Sequence, residues 1–272
     1  MHMKRVTRIY ISTAVCCFAT YFSHAQTISK STDTGNTVHQ IMERPKAKPP
    51  KPITHELSLG FRLNSNGWSV YSDIGKVKTE DKKHADMFHN VRIWQIEFTE
   101  KKSPAEEKST ADNGAGTNTY IYGKINNFYA LKLAYGYRRL LVGKPDPGTV
   151  SIHWVNAGGL SIGLLKPYYL NVYSDPAAIK YSPSTADDFL NQGLIEGSVG
   201  FSKGISEIKV IPGVHLKSAL HFDFSANRKN VIGIETGLNF EYYSQAIQLM
   251  ANQSGTSYFF DIFLAIQFGR RW

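Results

Sequence analysis

The segment from Tyr258 to Trp272 constrains this chain more than any other. Tyr258, Phe260, Ile262, Leu264, Ile266 and Phe268 recur at every second position. Between them lie Asp261, Ala265, Gln267 and Gly269, with Phe259 and Phe263 the only large apolar interruptions. A period of two belongs to an extended strand, whose side chains alternate between faces. One face here is wholly apolar and the other mainly small or polar, so one side meets hydrocarbon and the other something polar. Aromatic residues bracket the apolar face, and Trp272 suits a membrane–water boundary.

The same alternation recurs upstream, in Glu56–Arg62, Trp68–Lys76, Phe88–Lys101, Phe128–Arg139, Val150–Leu164, Leu194–Ser202, Val214–Phe224 and Val231–Tyr243. Turn signals separate several of these, among them Asn64-Ser-Asn-Gly67, Pro145-Asp-Pro-Gly148 and Ala226-Asn-Arg-Lys-Asn230. Tyr120–Asn126 reads equally as a short strand or a turn. Lys166–Asn191 is loop-like, with Thr185-Ala-Asp-Asp188 placed to cap a short helix. Gly158, Gly159 and Gly163 mark a bend or a close backbone approach. Nine strands and one ambiguous segment point to an all-β chain, a single antiparallel transmembrane up-and-down β-barrel of about 8–10 strands, the even counts being the ones bacterial single-chain barrels use.

The N-terminus predicts export. Lys4, Arg5 and Arg8 precede an apolar stretch from Ile9 to Phe22, and Ser23-His-Ala25 is a small-x-small cleavage signal. Residues 1–25 are therefore expected to be a signal peptide, 26–53 a Pro/Lys-rich tether and 54–272 the barrel. Both cysteines, Cys16 and Cys17, fall in the signal, so the mature chain has neither a disulfide nor a thiol nucleophile. The chain carries a formal charge of +9, scattered over strands and loops. With no nucleic-acid motif and an export signal, nucleic acid is not an expected partner.

The inward faces carry both signs of charge: Glu56, Arg62, Lys132, Arg138, Lys217, Asp223, Glu235, Glu241 and Asp261, with His215 and His221. In a closed barrel such charges must pair, because unpaired buried charge is expensive. They are expected to form a lumenal network that fills a small barrel. Ser151 with His153, and His221 with Asp223, have residue types suited to acyl transfer. Pairs two apart arise in any polar strand face, and no nucleophile-elbow motif is present, so no enzyme is expected. His84 and His89 lack the spacing of a structural zinc site, and neither metal nor cofactor is expected.

Together the signal, the alternating strands and the aromatic-ended Phe260–Phe268 segment resemble the small outer-membrane β-barrels of the OmpA-like and PorT-like group. Unlike the OmpA pattern, no peptidoglycan-binding domain is expected after the barrel. The resemblance implies an outer-membrane location and outer-membrane lipids as surroundings. It also implies that Phe260, Ile262, Leu264, Ile266, Phe268 and Trp272 form the signal read by the barrel-assembly machinery. The expected role is structural, adhesive or accessory to envelope assembly and secretion, without a wide pore. Loops 102–119 and 166–193 would be the surfaces offered to other envelope proteins. The alternatives are a soluble, lipocalin-like ligand-binding barrel with apolar faces inward, and a membrane lipid-modifying hydrolase using Ser151 and His153.

Overall fold

The computed structural model describes residues 53–78, 90–112, 117–143, 149–227 and 229–272. The signal, almost all of the tether, His84, His89 and the Pro145–Gly148 turn lie outside them. The described residues form strands β1 (His55–Asn64), β2 (Gly67–Lys78), β3 (Asn90–Lys101), β4 (Lys108–Asp112), β5 (Thr117–Ile121), β6 (Asn126–Val142), β7 (Ser151–Pro167), β8 (Tyr169–Val172), β9 (Asp175–Lys180), β10 (Ile195–Ser198), β11 (Lys209–Asp223), β12 (Asn230–Ile247) and β13 (Thr256–Arg271). A five-residue helix, α1 (Ala186–Leu190), follows β9.

Eight strands close into one barrel in the order β1-β2-β3-β6-β7-β11-β12-β13, and β13 returns to pair with β1. Every contact in the ring is antiparallel. The remaining strands form a three-stranded sheet, β10-β8-β9, and a hairpin, β4-β5. The barrel thus has eight strands, not nine or ten. The alternating stretch 194–202 holds only the four-residue β10, whereas a membrane crossing takes about 9–11 residues. Its alternation has a local cause: Ile195 is buried in a small core beside the barrel. The ambiguous Tyr120–Asn126 is likewise no barrel strand, since Tyr120 and Ile121 end β5.

The ladder register fixes the barrel's shape. Leu59 faces Ser72, then in turn Ile96, Leu133, Leu160, Val214, Tyr242 and Tyr258. The β13–β1 register carries Tyr258 to position 69, ten residues from the start. A stagger of ten residues at ~3.3 Å, spread over eight strands ~4.8 Å apart, tilts the strands by about 40°. The Tyr258–Phe268 stretch then rises about 25 Å along the axis, the height of the apolar band of a membrane barrel.

That band is on the outside. The six alternating residues from Tyr258 to Phe268 are 47–61% exposed, while Asp261, Ala265 and Gln267 between them are 0–1% exposed. Leu57, Leu59, Phe61 and Leu63 on β1, and Leu131, Leu133, Tyr135 and Tyr137 on β6, face out in the same way. A ring of exposed apolar side chains this tall is costly in water and is satisfied by lipid. A soluble ligand-binding barrel needs the reverse facing, and that alternative fails here. The chain is a membrane-spanning barrel.

Its two ends differ. The end with Thr54 and Trp272 has shorter connections, and Trp272 stacks on His55 at 6.1 Å. The opposite end carries the Ser65-Asn66 turn and the long connections 102–125, 168–208 and 248–255. Those connections hold β4, β5, β8, β9, β10 and α1. Around that rim runs an aromatic chain, Phe61 on Trp68, Trp68 on Phe98, Phe98 on Tyr129 and Tyr129 against Phe201.

Candidate functional site

The polar faces of the eight strands converge on the barrel axis. Glu56, Arg62, Lys132, Arg138, His215, Lys217, His221, Asp223, Glu235, Glu241 and Asp261 are each at most 6% exposed. Their contacts form a ladder. Nearest the termini, Arg138 Nη1 and Arg271 Nε donate to the two oxygens of Glu56, each at 2.7 Å, and Arg271 Nη2 donates to Asp223 at 2.7 Å. Asp73 accepts from Gln95 at 2.6 Å and from Gln267 at 2.9 Å.

In the middle, Arg62 lies between the Tyr71 and Phe263 rings, 4.5 and 4.3 Å from their centroids. Its guanidinium pairs with Glu97 at 2.6 Å and Glu235 at 3.5 Å. Lys217 also reaches Glu235, at 3.1 Å. Higher up, Lys132 bridges Glu97 at 3.0 Å and Glu241 at 2.6 Å. Lys101 pairs with Glu241 at 2.9 Å and with Asp261. Phe128, Tyr243 and Phe259 then close the bore with Ile211, Ile247 and Met250. Tyr243 Oη donates to Glu241 at 2.7 Å.

Charge nearly balances along this column. Carboxylates at 56, 73, 97, 223, 235, 241 and 261 face Arg62, Lys101, Lys132, Arg138, Lys217 and Arg271. Asp73, Glu97, Lys101 and Arg271 were not among the predicted site residues, although their strand parity matches that of the predicted ones. Lys101 and Arg271 end their strands, where an alternation is easily cut one residue short.

The acyl-transfer residues come closer than sequence could show. β7 and β11 are neighbours, with Asp223 opposite Ser151 and His221 opposite His153. The two imidazoles are 6.0 Å apart between centroids. Among the described residues no hydrogen bond joins Ser151 to either ring, and Asp223 is engaged by Arg271 and by the Ser225 backbone N–H. All four residues point into the lumen, away from acyl chains. The four residues therefore share the inner face of β7 and β11 and are not assembled into a hydrogen-bonded triad. The lipid-facing wall has a shallow groove of about 570 Å³ where Asn156, Gly158 and Ser218 are flanked by Tyr135, Leu216 and Phe240, a place for hydrocarbon.

The long connections fold into a cap over the plugged end. Leu170, Phe189, Ile195 and Val172 are at most 3% exposed in its core. Ser198 Oγ donates to the Thr119 carbonyl at 2.8 Å, Asn126 Nδ2 to Gln248 O at 2.8 Å, and Lys124 pairs with Glu106 at 2.9 Å. Segments within 102–119 and 166–193 thus belong to one folded surface. α1 forms where expected, but Thr185 spends its hydroxyl on the Lys180 carbonyl at 2.7 Å rather than on capping. On the cap's outer edge Lys180 and the Tyr169 hydroxyl both donate to Glu207. The Lys180 bond, then that of Tyr169, holds the Glu207 carboxyl below its ordinary range, and the same contact raises Lys180.

The sequence matches no protein-family model and no curated protein. Among solved structures it is similar to the N-terminal β-barrel domain of OprF from Pseudomonas aeruginosa, at 8% identity over 80% of this chain and 97% of that one, with a TM-score of 0.34. Ail, the attachment invasion locus protein of Yersinia pestis, aligns at 8% identity over 82% and 100%, with a TM-score of 0.36. A major outer membrane protein from Thermus thermophilus aligns at 10% identity over 82% and 100%, with a TM-score of 0.41. The barrel reading rests on this chain's own register and burial.

Proposed function

We propose that this chain is an integral outer-membrane β-barrel that holds a folded cap at the membrane surface, in a structural, adhesive or envelope-assembly role and without a wide pore. The observation that carries the reading is the pairing of an outward apolar band with a bore filled by ion pairs and closed by Phe128, Tyr243 and Phe259. A barrel of eight strands has an interior just wide enough for its own side chains. The lumenal charges are structural: they pair so that a polar interior can be buried. By the usual disposition of such barrels, the termini lie on the periplasmic side and the cap outside. The cap is then the surface for other envelope components, and outer-membrane lipids surround the wall. Phe260 to Phe268, with Trp272, would be the strand that the barrel-assembly machinery engages.

The test is twofold. Outer-membrane fractions run on gels with and without boiling should show a mobility shift, and the purified protein in planar bilayers should show no large steady conductance. Recovery in the soluble fraction without a shift defeats the membrane assignment. A shift with a large stable conductance keeps the barrel and defeats the plugged scaffold.

A further inference from the structure

Four outward side chains end the apolar band at the termini end: Lys76 on β2, Arg92 on β3, Arg139 on β6 and Arg270 on β13, all exposed. With the register and the tilt of about 40°, they lie within about 5 Å of one another along the axis. They occupy one continuous arc, β13-β1-β2-β3-β6. At the same height the other three strands present Ile152, Phe222 and Ile232.

The arc is electrostatically one-sided. Lys76 sits directly opposite Arg92, a like-charged cross-strand pair that destabilises a sheet when nothing neutralises it. Arg139, two residues beyond the Tyr137 partner of Arg92, is within diagonal reach. Among the described residues no acidic side chain is exposed at this end: Glu56, Asp73 and Asp223 all point inward, and the exposed acidic side chains belong to the cap end. Among those residues, too, none of the four cations has a carboxylate partner. The described side chains of the arc thus offer an anion a concentrated positive charge, and the height of the arc points to its source. It lies where acyl chains give way to headgroups.

We propose that Lys76, Arg92 and Arg139, with Arg270 beside them, bind the phosphate headgroup of an anionic phospholipid in the leaflet at the termini end of the barrel. Guanidinium forks and an ammonium on adjacent strands suit the non-bridging oxygens of a phosphodiester, while Ile74 and Trp94 just above offer apolar surface to its chains. The inference rests on the membrane-spanning reading, which the boiling shift of the wild-type protein checks separately.

The test is native mass spectrometry of the full barrel in mild detergent, with dioleoyl-phosphatidylglycerol or dioleoyl-phosphatidylcholine added at equal concentration. Each basic residue near a charged surface strengthens association about fivefold, so the phosphatidylglycerol adduct should exceed the phosphatidylcholine adduct by tenfold or more and fall as salt rises. The Lys76→Gln/Arg92→Gln/Arg139→Gln variant, still heat-modifiable, should lose the preference. Equal retention of the two lipids by the wild-type protein overturns the proposal without any variant. So does a preference unchanged in the triple variant. Retention of inorganic phosphate as strong as that of the lipid shows a free-anion site and overturns the lipid assignment.

Discussion

Leu264→Arg separates a barrel in hydrocarbon from a barrel in water. Leu264 lies six residues from Tyr258 on the same face of β13, and both are more than half exposed. At the strand tilt derived from the register, Leu264 is about 15 Å deeper than Tyr258, close to the middle of a band about 25 Å tall. An arginine facing lipid costs about 2–4 kcal/mol at the midplane and about 0–1 near the interface. Leu264→Arg should therefore lose about 2–3 kcal/mol more than Tyr258→Arg, a drop in the folded-to-unfolded ratio of about 30-fold or more. The assay is urea unfolding from dilauroyl-phosphatidylcholine vesicles, read by the fluorescence of Trp68, Trp94, Trp154 and Trp272. On a water-exposed strand both changes would cost within about 0.5 kcal/mol. Equal effects of the two substitutions would refute the depth argument and with it the membrane span.

Three other outcomes are open to measurement. Glu235→Gln leaves Lys217 without its 3.1 Å partner and weakens the hold on Arg62. It should cost about 3–5 kcal/mol in the same unfolding assay, and adding Lys217→Gln should cost less than the sum of the two. Gly60→Val forces Tyr71 off the wall, since a Cβ at position 60 would lie 2.2 Å from the Tyr71 ring that supports Arg62. A loss of about 1–3 kcal/mol is expected, against near neutrality if the ring simply swings aside. On the cap, the Glu207 carboxyl has its folded pKa depressed, so its tie to Lys180 and Tyr169 is present above the ordinary carboxylate range and is lost as pH falls through the folded value. Amide exchange over Ile205–Ile208, corrected for intrinsic rates, should accelerate between about pH 7 and 3, and Glu207→Gln should show the faster exchange already at neutral pH.

The facing of the strands was legible in the sequence because lipid outside and packed charge inside impose a clean period of two. On β13 Phe260, Ile262, Leu264, Ile266 and Phe268 are exposed, while Asp261, Ala265 and Gln267 between them are buried. Strand number was not legible. Alternation alone cannot distinguish β10, which packs Ile195 into a local core, from a strand that crosses a membrane. Which charges would meet was also hidden: Lys101 finds Asp261, 160 residues away, through a stagger that only the assembled ladder defines. The neighbouring of His153 and His221 depends on a 41-residue connection, positions 168–208, joining adjacent strands. Apart from β10 and the end of β5, the cap reads as loops in the sequence because its strands are four to six residues long and are held by contacts between separate connections.

The pairing of β1 with β13 sets an order of events for making this molecule. Glu56 lies opposite Arg271 and accepts its Nε at 2.7 Å, a contact spanning 215 residues. Until that seam zips, both flanking strands present raw edges ready to pair with other chains, and the six cations and seven acids of the bore have no common interior to share. A polypeptide synthesised from its first strand onward therefore cannot finish any part of the cylinder in advance. The cylinder closes around its own charges only when β13 reaches β1, the seam at which Arg271 meets Glu56.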